Sequence, residues 1–134
     1  NMIEKGLEGA GNIMVFDNGG RGGFPPERYR PYTRILEIHP IKREIVWKYD
    51  AEDSGAPRSA FFSEFTGNAR RQPNGTTVIT ESSWGRVFEV KRNGTVVWEW
   101  MSPHVYKQRN RLSRKVPRCY RVGLDWPSGP FNNL

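Results

Sequence analysis

The chain has one cysteine, Cys119, and two histidines, His39 and His104, among its 134 residues. A lone thiol excludes an intrachain disulfide, and with it the small disulfide-stapled secreted scaffold. Two isolated imidazoles and one thiol offer no zinc-type ligand spacing, so no metal site is expected. Nor is a Ser-His-Asp or Cys-His arrangement readable, and paired catalytic carboxylates are not discernible. No apolar run approaches the ~20 residues of a membrane-spanning helix, which argues against that class. Helical periodicity is absent. Acidic residues are scarce at one end, where Asp125 is the only one within residues 101–134.

Aromatic side chains are plentiful, with five Trp, five Tyr and seven Phe, a supply that argues for a folded core over disorder. The 14 Gly and 10 Pro are scattered and point to many turns joining short strands. The length suits a single domain, residues 1–134, with one modest core. The first pair, Asn1-Met2, fits a start at Met2 behind one extra residue or a cut within a longer chain equally well.

The net charge of +7 is unevenly placed. Residues 1–100 hold 14 basic and 13 acidic side chains, so the excess lies in Lys107, Arg109, Arg111, Arg114, Lys115, Arg118 and Arg121. Such a cluster is a polyanion-binding candidate. The plainer reading is a solvated basic loop over residues 104–118 or a contact between copies. Tyr106 and Tyr120 flank the cluster without interleaving, and no nucleic-acid motif accompanies it, so nucleic acid is not the favoured partner.

The chain repeats itself. Arg34-Ile35-Leu36-Glu37-Ile38 recurs as Arg86-Val87-Phe88-Glu89-Val90, and Glu44-Ile45-Val46-Trp47-Lys48-Tyr49 as Thr95-Val96-Val97-Trp98-Glu99-Trp100. Upstream, residues 11–18 align with residues 75–82, the offset growing from about 52 to 64 through a longer loop at residues 19–33. Three strands per unit are expected, at 12–17, 34–39 and 44–49, then at 76–81, 86–91 and 95–101. Asn93-Gly94 reads as a type I′ hairpin turn, and residues 40–43 serve the same purpose in unit one. Period-2 alternation places Trp47 and Tyr49 on one face and Trp98 and Trp100 on the matching face. Glu37 and Glu89 each interrupt an otherwise apolar strand. A fourth strand is expected at Phe61-Phe62-Ser63-Glu64-Phe65 for the first unit, about residues 1–66. A matching one is expected at residues 119–124 for the second, about residues 67–127. The fold class is therefore all-β, two antiparallel sheets of about four strands each. Such sheets recurring at ~50 residues are the pattern of propeller blades.

The stretch from Gly67 through Pro73-Asn74-Gly75 to Glu81, followed by Gly85-Arg86-Val87-Phe88-Glu89-Val90 and Val96-Val97-Trp98-Glu99-Trp100, resembles the arylsulfotransferase-like β-propeller family. Residues 11–19 and the run Tyr120-Arg121-Val122-Gly123-Leu124-Asp125-Trp126-Pro127 resemble its blades as well. The resemblance implies a six-bladed propeller, export from the cytoplasm, and transfer of a sulfuryl group through a transiently sulfated histidine held near an arginine. In that pattern Arg86 stands at the arginine, but Asn68 stands where the histidine belongs, and the equivalent point of unit one falls near Asn1. An amide hydrogen-bonds an anion but does not replace the imidazole as nucleophile. His39, before Pro40 in a turn, and His104, in a loop, do not supply the missing group.

Two blades do not close a propeller, which takes roughly four to eight. The open faces are then covered within a larger propeller, by association of copies, or by packing of the two sheets on each other. Three functional readings follow. One is a non-catalytic scaffold that self-associates and binds a small anionic ligand at Asn68, Arg70, Arg86 and Arg34, with ion pairing to nearby acids as the plainer role of Arg34 and Arg86. The second is an aryl sulfotransferase or a fragment of one. The third is polyanion binding through the basic segment. No cofactor is expected, because Gly19-Gly20-Arg21-Gly22-Gly23 has no following helix to make it a phosphate cradle.

Overall fold

The computed structural model describes residues 1–22, 28–108 and 111–122. Six of the expected runs form strands within one residue of their expected bounds, and five further strands accompany them among the described residues. In chain order these are β1 (Ile13–Asp17), β2 (Gly20–Gly22), β3 (Arg28–Arg30), β4 (Arg34–His39), β5 (Glu44–Tyr49), β6 (Asn68–Arg71), β7 (Thr77–Glu81), β8 (Arg86–Val90), β9 (Val96–Met101), β10 (Tyr106–Gln108) and β11 (Arg111–Ser113). Of these, β2, β3, β6, β10 and β11 were not expected. Three short 3₁₀ turns complete the regular structure among the described residues. The protein is all-β, and no helix among the described residues is long and apolar enough to cross a membrane.

Two antiparallel sheets carry the repeat, β1-β4-β5 and β6-β7-β8-β9, with two-stranded hairpins β2-β3 and β10-β11 beside them. The repeat extends to irregularities. Between β4 and β5 the register shifts at Glu37/Ile38, and between β8 and β9 it shifts at Glu89/Val90, the same position one unit later. Val46 and Val97 are the extra residues of these two bulges, each of which twists and bends its strand. The turn at Asn93-Gly94 differs from the type I′ expectation, because Gly94 has φ +88° while Asn93 is not in the positive-φ region. Lys91 N–H instead reaches Thr95 O across a longer turn. Arg43, at φ +56°, takes the place of Gly94 in unit one.

The fourth strands are not where the sequence placed them. β6 completes the second sheet, pairing with β7 from Asn68↔Thr80 to Arg71↔Thr77. In the first sheet the corresponding edge holds one bridge, Met2↔Ile13. Residues 61–65 form no strand, because side chains and distant backbone take up their polar groups. Glu81 Oε1 accepts from Phe62 N–H, and Thr33 Oγ1 accepts from Ser63 N–H. The carbonyls of Phe61 and Ser63 accept from Thr33 and Gly19. Residues 119–122 likewise form no strand, and residues 123–124 of that expectation lie outside the described residues.

The core lies between the two sheets, and unlike faces meet there. Unit one contributes Met14, Ile35, Trp47 and Tyr49, and unit two contributes Ala69, Ile79, Phe88 and Val90. Phe61 plugs the space between them, 5.4 Å edge-on to Phe88, 5.9 Å edge-on to Phe16 and 6.0 Å from Tyr49. The counterparts of the unit-one face are Val78, Val87, Trp98 and Trp100, which turn away from the interface. The matching aromatics therefore have unlike surroundings: Trp47 and Tyr49 are 9% and 2% exposed, Trp98 and Trp100 49% and 40%.

Charge crosses the core as well. Glu37 Oε2 lies 2.6 Å from Arg71 Nη2 and 2.8 Å from Arg92 Nη1, and its Oε1 accepts from Asn12 at 2.7 Å. Both guanidiniums lie over the Trp47 ring, whose indole N–H donates to Arg92 O at 2.9 Å. Burial pulls the Arg71 pKa below its usual value in spite of Glu37. A carboxylate of unit one and two cations of unit two thus clamp the sheets together.

Candidate functional site

The four residues expected to hold an anion fall into two groups. Arg34 and Arg86 lie on the second strands of their units, each in register opposite an acid, Asp17↔Arg34 and Glu81↔Arg86. Arg34 Nε is 2.7 Å from Asp17, which also receives Arg30 at 2.7 Å. Arg86 is 2.8 Å from Glu99 and 3.3 Å from Glu81, with its guanidinium carbon 4.2 Å from the Phe88 ring centre. The repeat therefore preserves an acid–arginine pair at one end of each sheet, and both guanidiniums are engaged by their own sheet's carboxylates.

The two acids of these pairs titrate in opposite directions. Burial pushes the Asp17 carboxyl up, but hydrogen bonds from Arg30 and Arg34 outweigh it and hold the pKa below the ordinary value. Burial of Glu81 outweighs the Phe62 N–H and the single Arg86 and raises its pKa. A raised carboxyl pKa means that the folded state holds its proton to higher pH than the unfolded chain does. Stability is then lost as pH rises through the window between the unfolded and the folded pKa of Glu81. Glu81→Gln removes that loss. Chemical denaturation of both proteins across pH should show a difference in unfolding free energy that shifts in favour of the variant as pH rises from acid to neutral. A pH-independent difference would show that Glu81 ionises equally in both states.

Asn68 and Arg70 form the second group, on strand β6. Together with Asn1, Phe16, Arg118 and Tyr120 they line a cavity of about 420 Å³ along the edge where β1 meets β6. Asn68 Nδ2 lies 3.4 Å from Cys119 O, and Arg118 Nη1 donates to the Tyr120 hydroxyl at 3.0 Å. Arg70 lies 5.1 Å from the centre of the Tyr120 ring and also pairs with Glu4. Asn1 Nδ2 donates to Ala69 O at 3.0 Å. Gly67 enters this edge at φ +127° with its α-carbon against the Phe16 ring, where a β-carbon has no room.

The cavity thus joins two amides, two guanidiniums and a phenol. Arg118, expected in the polyanion group, belongs here, and Asn1 and Tyr120 were not expected as ligands. Asn1 stands opposite Met14, through Met14 N–H to Asn1 O at 2.7 Å, as Arg70 stands opposite Val78. Its counterpart is therefore Arg70 and not Asn68. One signal in the sequence reaches this arrangement: residues 118–121 follow residues 68–71 at an offset of 50, ending each time in arginine. Arg71 meets Glu37, and Arg121 Nη1 meets Glu89 Oε2 at 2.7 Å.

Such a donor set suits an anion, since guanidiniums and amide N–H groups all donate to its oxygens. No imidazole lines the cavity. His39 closes strand β4, where its Nδ1 accepts from Lys42 N–H at 3.3 Å, and His104 is exposed in the loop after β9. Among the described residues, no group of three or more His, Cys, Asp or Glu is placed to hold a metal ion.

The basic segment is an exposed hairpin followed by an irregular stretch. Lys107 lies on β10, the backbone of Arg111 on β11, and Arg114, Lys115 and Arg118 are exposed beyond it. Arg109 lies outside the described residues. The carbonyl of Arg114 rests against Gly85, which is in the left-handed region at φ +69°. No protein-family model, curated protein or solved structure matches the chain.

Proposed function

We propose that the chain is a non-catalytic, propeller-derived scaffold that self-associates and holds a small anion in the cavity between β1 and β6. One observation carries the propeller reading. The two sheets meet through unlike faces, with β6 of one unit beside β1 of the other, which is how successive blades stack around an axis. A sandwich related by a two-fold axis would join like faces. The cavity at that edge supports the ligand class, because its polar lining from Asn68, Arg70 and Arg118 is rich in donors and contains no histidine to carry a sulfuryl group. The reading makes Asn68 a hydrogen-bond donor to the ligand and Arg118 its counter-charge.

Isothermal titration of the chain with inorganic sulfate, and separately with an aryl sulfate, tests this. Binding at one site per chain is expected, with Asn68→Ala and Arg118→Ala each weakening it about tenfold, the effect of one charge-assisted hydrogen bond. Unchanged affinity in both variants removes the cavity as the site. Sulfuryl transfer to a phenol, or a sulfated residue detected by mass spectrometry, replaces the scaffold with a transferase.

A further inference from the structure

We infer that the outer face of unit two docks, head to tail, onto the outer face of unit one in a second copy of the chain. The inference rests on the blade reading and names the surfaces that its self-association uses. Because unlike faces meet inside the chain, one face of each kind is left over among the described residues, the unit-two face being covered in part by residues 119–121. On unit two it is the face of Glu89, Trp98 and Trp100, the counterparts of Glu37, Trp47 and Tyr49, which unit two itself covers. On unit one it is the face of Val15, Ile38 and Ile45, the counterparts of Ile79, Val90 and Val96, which pack inward on the core. The two leftover faces therefore repeat the apolar pattern of the pair already joined within the chain, although Leu36, the counterpart of Phe88, is already buried. Ile45 is 56% exposed.

The polar contacts follow the same correspondence. In the internal interface, the hairpin after β8 lays Arg92 on Glu37 and presents its carbonyl to the Trp47 indole. The hairpin after β4 has the same length and the same left-handed residue near its end, and it exposes Lys42 and Arg43. In a second copy, this basic hairpin meets the Glu89 and Trp98 edge. Part of the contact is in place already. Arg121 sits on Glu89 as Arg71 sits on Glu37, and Cys119 N–H donates to Thr80 Oγ1, the counterpart position of Phe16. Among the described residues, a cavity of about 530 Å³ lies between this segment and Val87, Glu89, Val97 and Trp98.

A head-to-tail contact forms a ring when its rotation closes. Four to eight blades correspond to about two to four copies. Light scattering on the full chain over a concentration series tests the arrangement, with Trp98→Lys and Ile45→Lys placing a charge on each face in turn. Both positions are solvent-exposed, and circular dichroism confirms that each variant is folded. The expected result is a discrete oligomer for the original chain and monomers for each variant alone. An equimolar mixture of the two variants should give a dimer and nothing larger, because one intact face of each kind remains. A mixture that stays monomeric overturns the head-to-tail arrangement. Variants that keep the original mass overturn these surfaces while leaving self-association standing. A monomeric original chain at every concentration overturns both this inference and the self-associating reading.

Discussion

Replacing Glu37 by alanine should lower the unfolding free energy by about 3–5 kcal/mol, the usual cost of removing one partner from a buried ion pair. The cause is Arg71. Its side chain is 1% exposed and pairs with Glu37 at 2.6 Å, so the variant leaves a guanidinium in the core without its counter-charge. Arg92, at 32% side-chain exposure, turns to water and relieves only part of the loss. The counterpart change in unit two separates this account from a general effect of losing a buried glutamate. Glu89 is as buried as Glu37, but its cation Arg121 is 58% exposed. Glu89→Ala frees Arg121 into solvent and gives up hydrogen bonds from Thr76 and Asn74, a cost of about 1–2 kcal/mol. Urea denaturation of both variants reads the contrast directly. Equal losses would mean that the carboxylate's own hydrogen bonds, and not the stranded guanidinium, dominate.

Phe61→Ala should cost about 3–5 kcal/mol, the range for emptying a buried phenylalanine site. Phe61 is 0% exposed and touches Phe16, Tyr49 and Phe88, so the void opens between the two sheets. Its aromatic neighbours come from three different strands, β1, β5 and β8. Phe65→Ala is the control. A strand over residues 61–65 would place Phe61, Ser63 and Phe65 on one face, and the two phenylalanines would then matter alike. In the folded chain Phe65 is 67% exposed, and its replacement should change stability by no more than about 0.5 kcal/mol. Thermal melts of the two variants distinguish an irregular plug from a strand. A large loss at Phe65 would restore the strand.

Six strands were legible in the sequence, because period-2 alternation and β-branched runs are local properties that neighbouring residues carry with them. The repeat was legible for the same reason, and it extends to matching bulges at Glu37/Ile38 and Glu89/Val90. The edge strand β6 was not. Asn68-Ala69-Arg70-Arg71 has neither alternation nor β-branched residues, and it is a strand because β7 offers it a ladder and Glu37 a partner for Arg71. Conversely, residues 61–65 look like a strand by composition, but Thr33 and Glu81 satisfy their backbone before any neighbouring strand does.

The site divides along the same line. Of the four candidate anion ligands read from the sequence, Asn68 and Arg70 line one cavity, while Arg34 and Arg86 face acids directly across the ladder. That pairing is a matter of register, which becomes visible only when the strands are laid side by side. Arg118 and Tyr120 reach the cavity from some 50 residues away in sequence, and only the recurrence of residues 68–71 at 118–121 pointed to them. The sequence by itself determined six strand-forming segments, where the turns between them fall and the doubling of the unit. Tertiary structure decided which copy of each repeated residue is buried. Trp47 and Trp98 share a local pattern, yet one is covered by the other unit and one is open to solvent, because stacking unlike faces buries one copy and leaves the next exposed.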